Sequence, residues 1–306
     1  ALVGRGRIDP KKASDMRKAL VEVEDVQVAL EALANAARAR SSAYITAVTG
    51  SVGKTSVKEA LGLALSKSGK TFASEKSFNN HIGVPLSLTR MPQDCAYGVF
   101  EVGMNHAGEI DALVRMVRPH CAIITHVGTA HIEHFDSEAD IARAKGEIFN
   151  DMANDVVESG TVIIPADNPH IDLLVELAEA RGIADIRRFS TDERAAASEP
   201  PHIVASKVYL HETCSCVSGR IDDAEVTFKV GMPGAHNVSN SLAVLGAVQA
   251  AGADLALAAL SLAEVEALNG RGRRHVLDVA GGPCVLIDES YNANPASMSA
   301  AIKALG

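Results

Sequence analysis

Tryptophan is absent and aromatic residues make up only 4% of the 306 residues, which leaves no stacking platform for single-stranded nucleic acid. Positive charge is also short. The formal net charge is −9, so no basic field gathers nucleic acid or anionic lipid. No apolar run approaches the ~20 residues that a membrane helix needs, and no membrane insertion is expected. The opening stretch, Ala1 to Arg7, has neither the apolar core of a signal peptide nor an initiator methionine; the chain is expected to begin inside a longer protein. The five cysteines (Cys95, Cys121, Cys214, Cys216, Cys284) include no Cys-x-x-Cys, the spacing that zinc ribbons and thioredoxin-like sites require. Cys214 and Cys216 would share one face of a strand and not bridge, so reduced thiols in a cytoplasm are expected. What remains is an ordinary globular balance, 47% hydrophobic and 22% charged, with length for about two domains.

Apolar spacing divides the chain. Val26, Leu30, Leu33 and Ala37 recur at helical intervals and predict a helix over 26–39. Short buried-strand runs at Ala43–Val48, Tyr97–Val102, Cys121–Val127 and Thr161–Pro165 then alternate with helical patterns at Val57–Leu65, Glu109–Val117, Ala139–Asn150 and Ile171–Ala180. That alternation predicts an α/β fold: a P-loop-containing, mostly parallel sheet with helices on both faces. From His202 to Val230, β-type segments follow one another with only Ser-Gly and Asp-Asp turns between them, which predicts a small antiparallel β meander. A helix is expected over Asn237–Ala251. A Gly- and Arg-rich hinge near Asn269–Arg274 then opens a unit with strands at His275–Val279 and Val285–Asp288 and a helix starting at Pro295. Some 36 residues are too few for a core of their own, so partial flanking domains are expected at both ends.

The strongest chemical signal is Thr49-Gly50-Ser51-Val52-Gly53-Lys54-Thr55-Ser56, placed between a strand and a helix. Its glycines let backbone N–H groups turn onto phosphate oxygens, Lys54 can reach the β- and γ-phosphates, and the Thr55 hydroxyl can bind Mg²⁺. Val48 stands where the general phosphate-loop pattern has its first glycine. Glu101 ends a predicted parallel strand, where ligands bind, and is a second candidate for Mg²⁺; a local cap is the plainer role. His131 and His134 are three apart after the next strand; a nucleotide-metal role for His131, a loop histidine and a structural zinc are all open. Lys145 alone looks like a surface lysine. Asn79 and Asn80 suit either a polar substrate or a turn, and Arg271, Arg273 and Arg274 either an anion grip or a solvated charge run.

Taken with Asn79-Asn-His-Ile-Gly-Val-Pro85, Glu101-Val-Gly-Met-Asn-His-Ala-Gly-Glu-Ile110, Lys145-Gly-Glu-Ile-Phe149, His236-Asn-Val-Ser-Asn240 and Asp288-Glu-Ser-Tyr-Asn-Ala-Asn-Pro295, the phosphate loop makes the chain resemble the Mur ligases, ATP-dependent amide-forming enzymes of peptidoglycan precursor synthesis. The last motif, together with the one that begins at Glu101, is most similar to the dipeptide-adding member. The resemblance implies ATP and Mg²⁺ as cofactors and UDP-N-acetylmuramoyl-tripeptide and D-alanyl-D-alanine as partners, in a cytoplasmic monomer. It implies that Thr55 and Glu101 bind one Mg²⁺, that His131 helps bind a second, and that Lys145 matches a lysine carbamylated in several members. Asn237 and Asn240 would line the adenine pocket, Arg271, Asp288 and Tyr291 would reach the nucleotide, and Asn79 and Asn80 would face the UDP-linked substrate. Its implied domains are the tail of an N-terminal UDP-substrate domain with linker (1–40), a central ATP-binding domain (41–270) and the start of a C-terminal Rossmann-like ligase domain (271–306). Lys76-Ser-Phe stands where the resemblance leads one to expect Gly-Asn-Leu. The alternatives are a folylpolyglutamate synthetase-like ligase, which lacks the Tyr-Asn-Ala-Asn-Pro loop, and a catalytically incomplete nucleotide-binding module.

Overall fold

A computed structural model describes residues 2–7, 20–130, 132–152, 160–192, 200–291 and 293–304. Two short strands, β1 (Leu2–Gly4) and β2 (Val21–Val23), pair in parallel ahead of helix α1 (Val26–Ala39). Then come β3 (Tyr44–Thr49), α2 (Lys54–Ser66), β4 (Thr71–Ala73), α3 (Gly83–Arg90), β5 (Tyr97–Glu101), α4 (Glu109–Val117) and β6 (Cys121–Ile124). The chain continues through α5 (Glu138–Gly146), β7 (Thr161–Pro165), α6 (Ile171–Glu179), β8 (Asp185–Ser190), β9 (Ile203–Leu210), β10 (Ser215–Ile221) and β11 (Ala224–Val230). It closes with α7 (Ala235–Ala250), α8 (Leu255–Ser261), the hairpin β12 (Arg273–Val279) and β13 (Gly282–Asp288), and α9 (Pro295–Lys303).

Nine strands form one sheet in the order β11-β10-β9-β8-β7-β6-β3-β5-β4. Pairing is parallel from β4 to β9 and antiparallel from β9 to β11. The meander is therefore no separate unit; it extends the edge of the parallel sheet. The strand β8, which links the two parts, has the sequence Asp-Ile-Arg-Arg-Phe-Ser, too polar to register as a buried run. Two predicted elements also end early. The strand from Cys121 stops at Ile124, and the helix before Asn150 gives way after Gly146 to a 3₁₀ turn, Glu147–Phe149.

Alternation across the pleat sorts the core into two layers. Ile45, Ala47, Phe100, Ala122, Ile124, Val162 and Ile164 face α1, α3, α4, α5 and α6. Val48, Val99, Cys121, Ile123 and Ile163 face α2, α7 and α8. Strands covered on both faces are apolar at most positions, with Thr46, Thr49 and Thr161 as small buried exceptions, which is why these runs show little alternation in sequence.

The helix 26–39 forms, but its buried side runs through Ala34, Ala37 and Arg38, while Leu33 is 49% exposed. Arg38 explains the offset. Its guanidinium donates to the carbonyls of Val117 (2.8 Å), Arg118 (2.9 Å) and Ser41 (3.4 Å), two of which lie at the C-terminus of α4, where carbonyls lack helical partners. Arg38→Met should leave those carbonyls buried without their donor and lower stability by about 2–3 kcal/mol, read from the urea midpoint at unchanged m.

Candidate functional site

Strand order reverses around β3: the chain visits β4 and β5 on one side before crossing to β6 on the other. The crevice at the C-terminal ends of β5, β3 and β6 is thus a topological switch point, where open α/β sheets bind ligands. The segment 50–53 leaves β3 there and enters α2. Gly53 caps α2 with φ +85, a conformation that side chains resist. A Cβ on Gly53 would also come within 2.9 Å of Asn240 Oδ1, and one on Gly50 within 2.0 Å of Thr125 Oγ1. The loop is glycine-rich because α7 and the β6 end press against it. The N–H of Ser51 donates to His126 O (2.8 Å), and the Thr125 hydroxyl donates to Val52 O (2.5 Å), with Thr49 O an alternative acceptor at 3.2 Å. With the N-terminus of α2 behind it, the loop has the form of a cradle that could accept phosphate.

Four predicted residues converge on this cradle. Lys54 Nζ, at the head of α2, donates to Gly50 O at 2.7 Å. Burial lowers its proton affinity below that of an ordinary lysine; Glu101 opposes the shift and Arg271 adds to it. Thr55 Oγ1 donates to Glu101 Oε2 (2.7 Å), and Asn79 Nδ2 donates to Glu101 Oε1 (2.7 Å). Thr55 and Glu101 are both buried. A hydroxyl and a carboxylate side by side at the cradle's mouth are hard oxygen donors, and the set fits Mg²⁺ with the remaining positions left for water and phosphate. Glu101 is no local cap: its partners come from α2 and from the segment after β4.

Asn79 and Asn80 divide. Both line the cavity, but Asn80 Oδ1 accepts from the N–H groups of Ile82 (3.2 Å) and Gly83 (2.8 Å), starting α3. Lys145, at the end of α5, is no surface lysine; it is 2% exposed. Burial and the nearby Lys54 ammonium hold its proton affinity well below the usual range. His131 lies outside the described residues. The His134 ring lies tilted against that of His106, centroids 4.4 Å apart, and no group of three or more His, Cys, Asp or Glu placed to hold a metal occurs among the described residues.

Two cavities meet at the loop. One of about 290 Å³ holds Lys54, Thr55, Asn79, Glu101 and Asn105. The other, of about 360 Å³, lies between the loop, the start of α7 and the β12–β13 unit, with Pro165, Pro233, Asn237, Asn240 and Val265 on its wall. Gly53 and Arg271 border both. Arg271 lies over the Tyr291 ring at 4.6 Å. Asp288 borders neither cavity: it accepts from Gly270 N–H (3.1 Å) and from the Ser290 hydroxyl (2.6 Å), shaping the connecting turn. Sequence reasoning missed Thr125 and His126. Their position just past a parallel strand beside the switch point was the available signal. Burial lowers the His126 proton affinity against the opposing pull of Asp167 and Glu138, with Lys145 adding to the decrease.

A glycine-rich loop at the switch point, an acidic strand end beside it and two adjoining cavities define a P-loop α/β domain. Residues 48–248 match the family model described as the Mur ligase middle domain, and the chain belongs to the Mur ligase family. It is 33% identical over 302 residues to the UDP-N-acetylmuramoyl-tripeptide–D-alanyl-D-alanine ligase of Escherichia coli K12, covering 99% of this chain and 64% of that protein. The enzyme of the same name from Rickettsia prowazekii is 34% identical over 285 residues, with 90% and 59% covered. Among solved structures, MurF from Acinetobacter baumannii superposes with a TM-score of 0.82 at 30% identity, covering 94% of this chain and 59% of that one. The chain therefore spans about three-fifths of the relatives it matches. Among the described residues, no helix is long and apolar enough to cross a membrane.

Proposed function

We propose that the polypeptide carrying this chain is a cytoplasmic ATP-dependent amide ligase that adds D-alanyl-D-alanine to UDP-N-acetylmuramoyl-tripeptide. The observation that carries this reading is the meeting of Lys54, Thr55 and Glu101 where a nucleoside-sized cavity opens into a polar one. A carboxylate-activating ligase needs that arrangement, with the terminal phosphate of a nucleotide delivered to an anionic acceptor next door. The relatives' names supply the substrates.

The reaction passes the γ-phosphoryl of ATP to the tripeptide's C-terminal carboxylate. The dipeptide amine attacks the resulting acyl phosphate, loses a proton as the amide forms, and releases phosphate. An anion attacking a polyanion needs positive charge and dry surroundings above all. Lys54 would turn from Gly50 O to the β- and γ-phosphates, and the loop N–H groups would hold the phosphate chain. Asn237 and Asn240 would border the adenine, with Arg271 and Tyr291 closing over the nucleotide. Asp288 would support that closure through the connecting turn, and Asn79 and Asn80 would face the UDP-linked substrate. Thr55 and Glu101 would hold one Mg²⁺ and His131 would help hold a second; bound Mg²⁺ supplies charge neutralisation at the γ-phosphoryl. A neutral Lys145 amine would add CO₂ and release a proton, giving a carbamate whose negative charge suits the second metal.

The test is ADP release, assayed with UDP-N-acetylmuramoyl-tripeptide and D-alanyl-D-alanine together and singly. Release is expected only with both. Release driven by a folate and glutamate would install the folylpolyglutamate synthetase-like alternative. Mg-ATP binding without release under any of these conditions would point to the incomplete module.

A further inference from the structure

Lys58 is used by none of these steps, yet it is a fully buried lysine, 0% exposed, one turn into α2. Its Nζ donates to Ser74 O (2.6 Å), Lys76 O (2.9 Å) and Glu59 Oε1 (2.5 Å). Three acceptors match the three donors of an ammonium. Two of them are backbone carbonyls of the segment 74–79, which joins β4 to α3. That segment also reaches the phosphate and metal residues. Ser74 Oγ accepts from Glu101 N–H (3.3 Å), Ser77 Oγ lies 3.4 Å from Thr55 Oγ1, and Asn79 donates to Glu101.

The segment does not take this path from local preference. Lys76 sits at φ +50, a left-handed conformation that costs a side-chain-bearing residue energy and persists only where the surroundings impose it. It is the position at which family resemblance led one to expect glycine, and the lysine keeps the glycine-like backbone. Besides the local turn bond from Phe78 N–H to Glu75 O (3.2 Å), a constraint in contact with it is the bond from Lys58 to its carbonyl.

We propose that Lys58 is a positioning residue: its tether to the Ser74 and Lys76 carbonyls fixes the segment that keeps Asn79 and Ser77 on Glu101 and Thr55, and so sets the geometry in which those two receive Mg²⁺ with the nucleotide. This rests on the nucleotide-binding reading above for its second half only. Lys58→Met preserves the stem and removes the three donors. Amide hydrogen exchange over 75–80 is expected to speed up by about tenfold or more while exchange over 50–57 is unchanged. Affinity for a non-hydrolysable ATP analogue in EDTA should stay within about twofold, but the gain conferred by Mg²⁺ should fall about tenfold. Lys58→Arg, which keeps donors in another geometry, should recover part of both. Unchanged exchange over 75–80 would overturn the proposal, and so would exchange rising across the whole sheet with affinity lost equally with and without Mg²⁺. If Lys58→Met does not fold, Lys58→Gln, which loses the ammonium and shortens the stem, decides: wild-type exchange and wild-type Mg²⁺ gain together would refute the tether. A wild-type chain that binds no nucleotide would refute the functional reading, and the exchange measurement would still judge the tether.

Discussion

Lys54→Ala is expected to lower turnover by about a thousandfold or more, some 4 kcal/mol of barrier, with little change in thermal stability. Among the described residues the ammonium makes one hydrogen bond, to the carbonyl of Gly50 in its own loop. It crosslinks no distant elements, so its removal costs the fold little. Its position in a crevice shared with Glu101 is costly for a cation, as its lowered proton affinity records. That cost is offset when triphosphate arrives, and the field it exerts grows with the charge transferred to the γ-oxygens. Steady-state ADP release with both substrates is the measurement. A variant that keeps the wild-type rate would remove Lys54 from the site.

Lys145→Met should show the opposite pairing, a more stable protein that has lost about a hundredfold or more in turnover. Lys145 is buried beside a second lysine, and both burial and the Lys54 charge push its proton affinity well below that of an ordinary lysine. The folded state therefore binds fewer protons at this site than the unfolded state does. Stability rises with pH across the window from the depressed folded value to the unfolded value near 10.5. Below the unfolded value the wild type bears the cost of burying this amine beside the Lys54 ammonium. Methionine, close in shape, bears none. In bicarbonate-free buffer the melting temperature of the variant should exceed that of the wild type at pH 7, with the difference shrinking as pH approaches 10.5. Equal melting temperatures at both pH values would show that Lys145 is solvated. Added bicarbonate should raise wild-type turnover and leave Lys145→Met unchanged if the carbamate forms.

Much of this molecule is legible in local patterns. The strand 161–165 and the helices 26–39 and 109–117 are matched to the residue, the strand as a short unbroken apolar run covered on both faces and the helices by apolar residues recurring near every 3.6 positions. The phosphate loop is legible for a related reason: all of its chemistry sits within eight consecutive residues. Where a residue's partners lie far along the chain, the pattern is silent. Lys145, Lys58 and Arg38 all have the sequence character of surface cations and all are buried. Arg38 meets carbonyls some 80 positions away, and Lys58 meets a segment in the following βα connection. The pair Asn79 and Asn80 is ambiguous in sequence because either amide can serve a turn or a site. Only the packing of α3 assigns one oxygen to the helix start and the other amide to Glu101.

The sequence by itself determined the class of fold, the βα alternation and a phosphate loop between a strand and a helix, since those depend on neighbours within a turn or a pleat. It also carried the motifs that mark the family. Tertiary structure alone decided that the meander joins the parallel sheet, that Thr55 and Glu101 share a hydrogen bond across 46 positions, and that Asp288 shapes the connecting turn. Strand order is what brings such residues together. It is settled by which apolar faces cover which, a competition among all the elements at once.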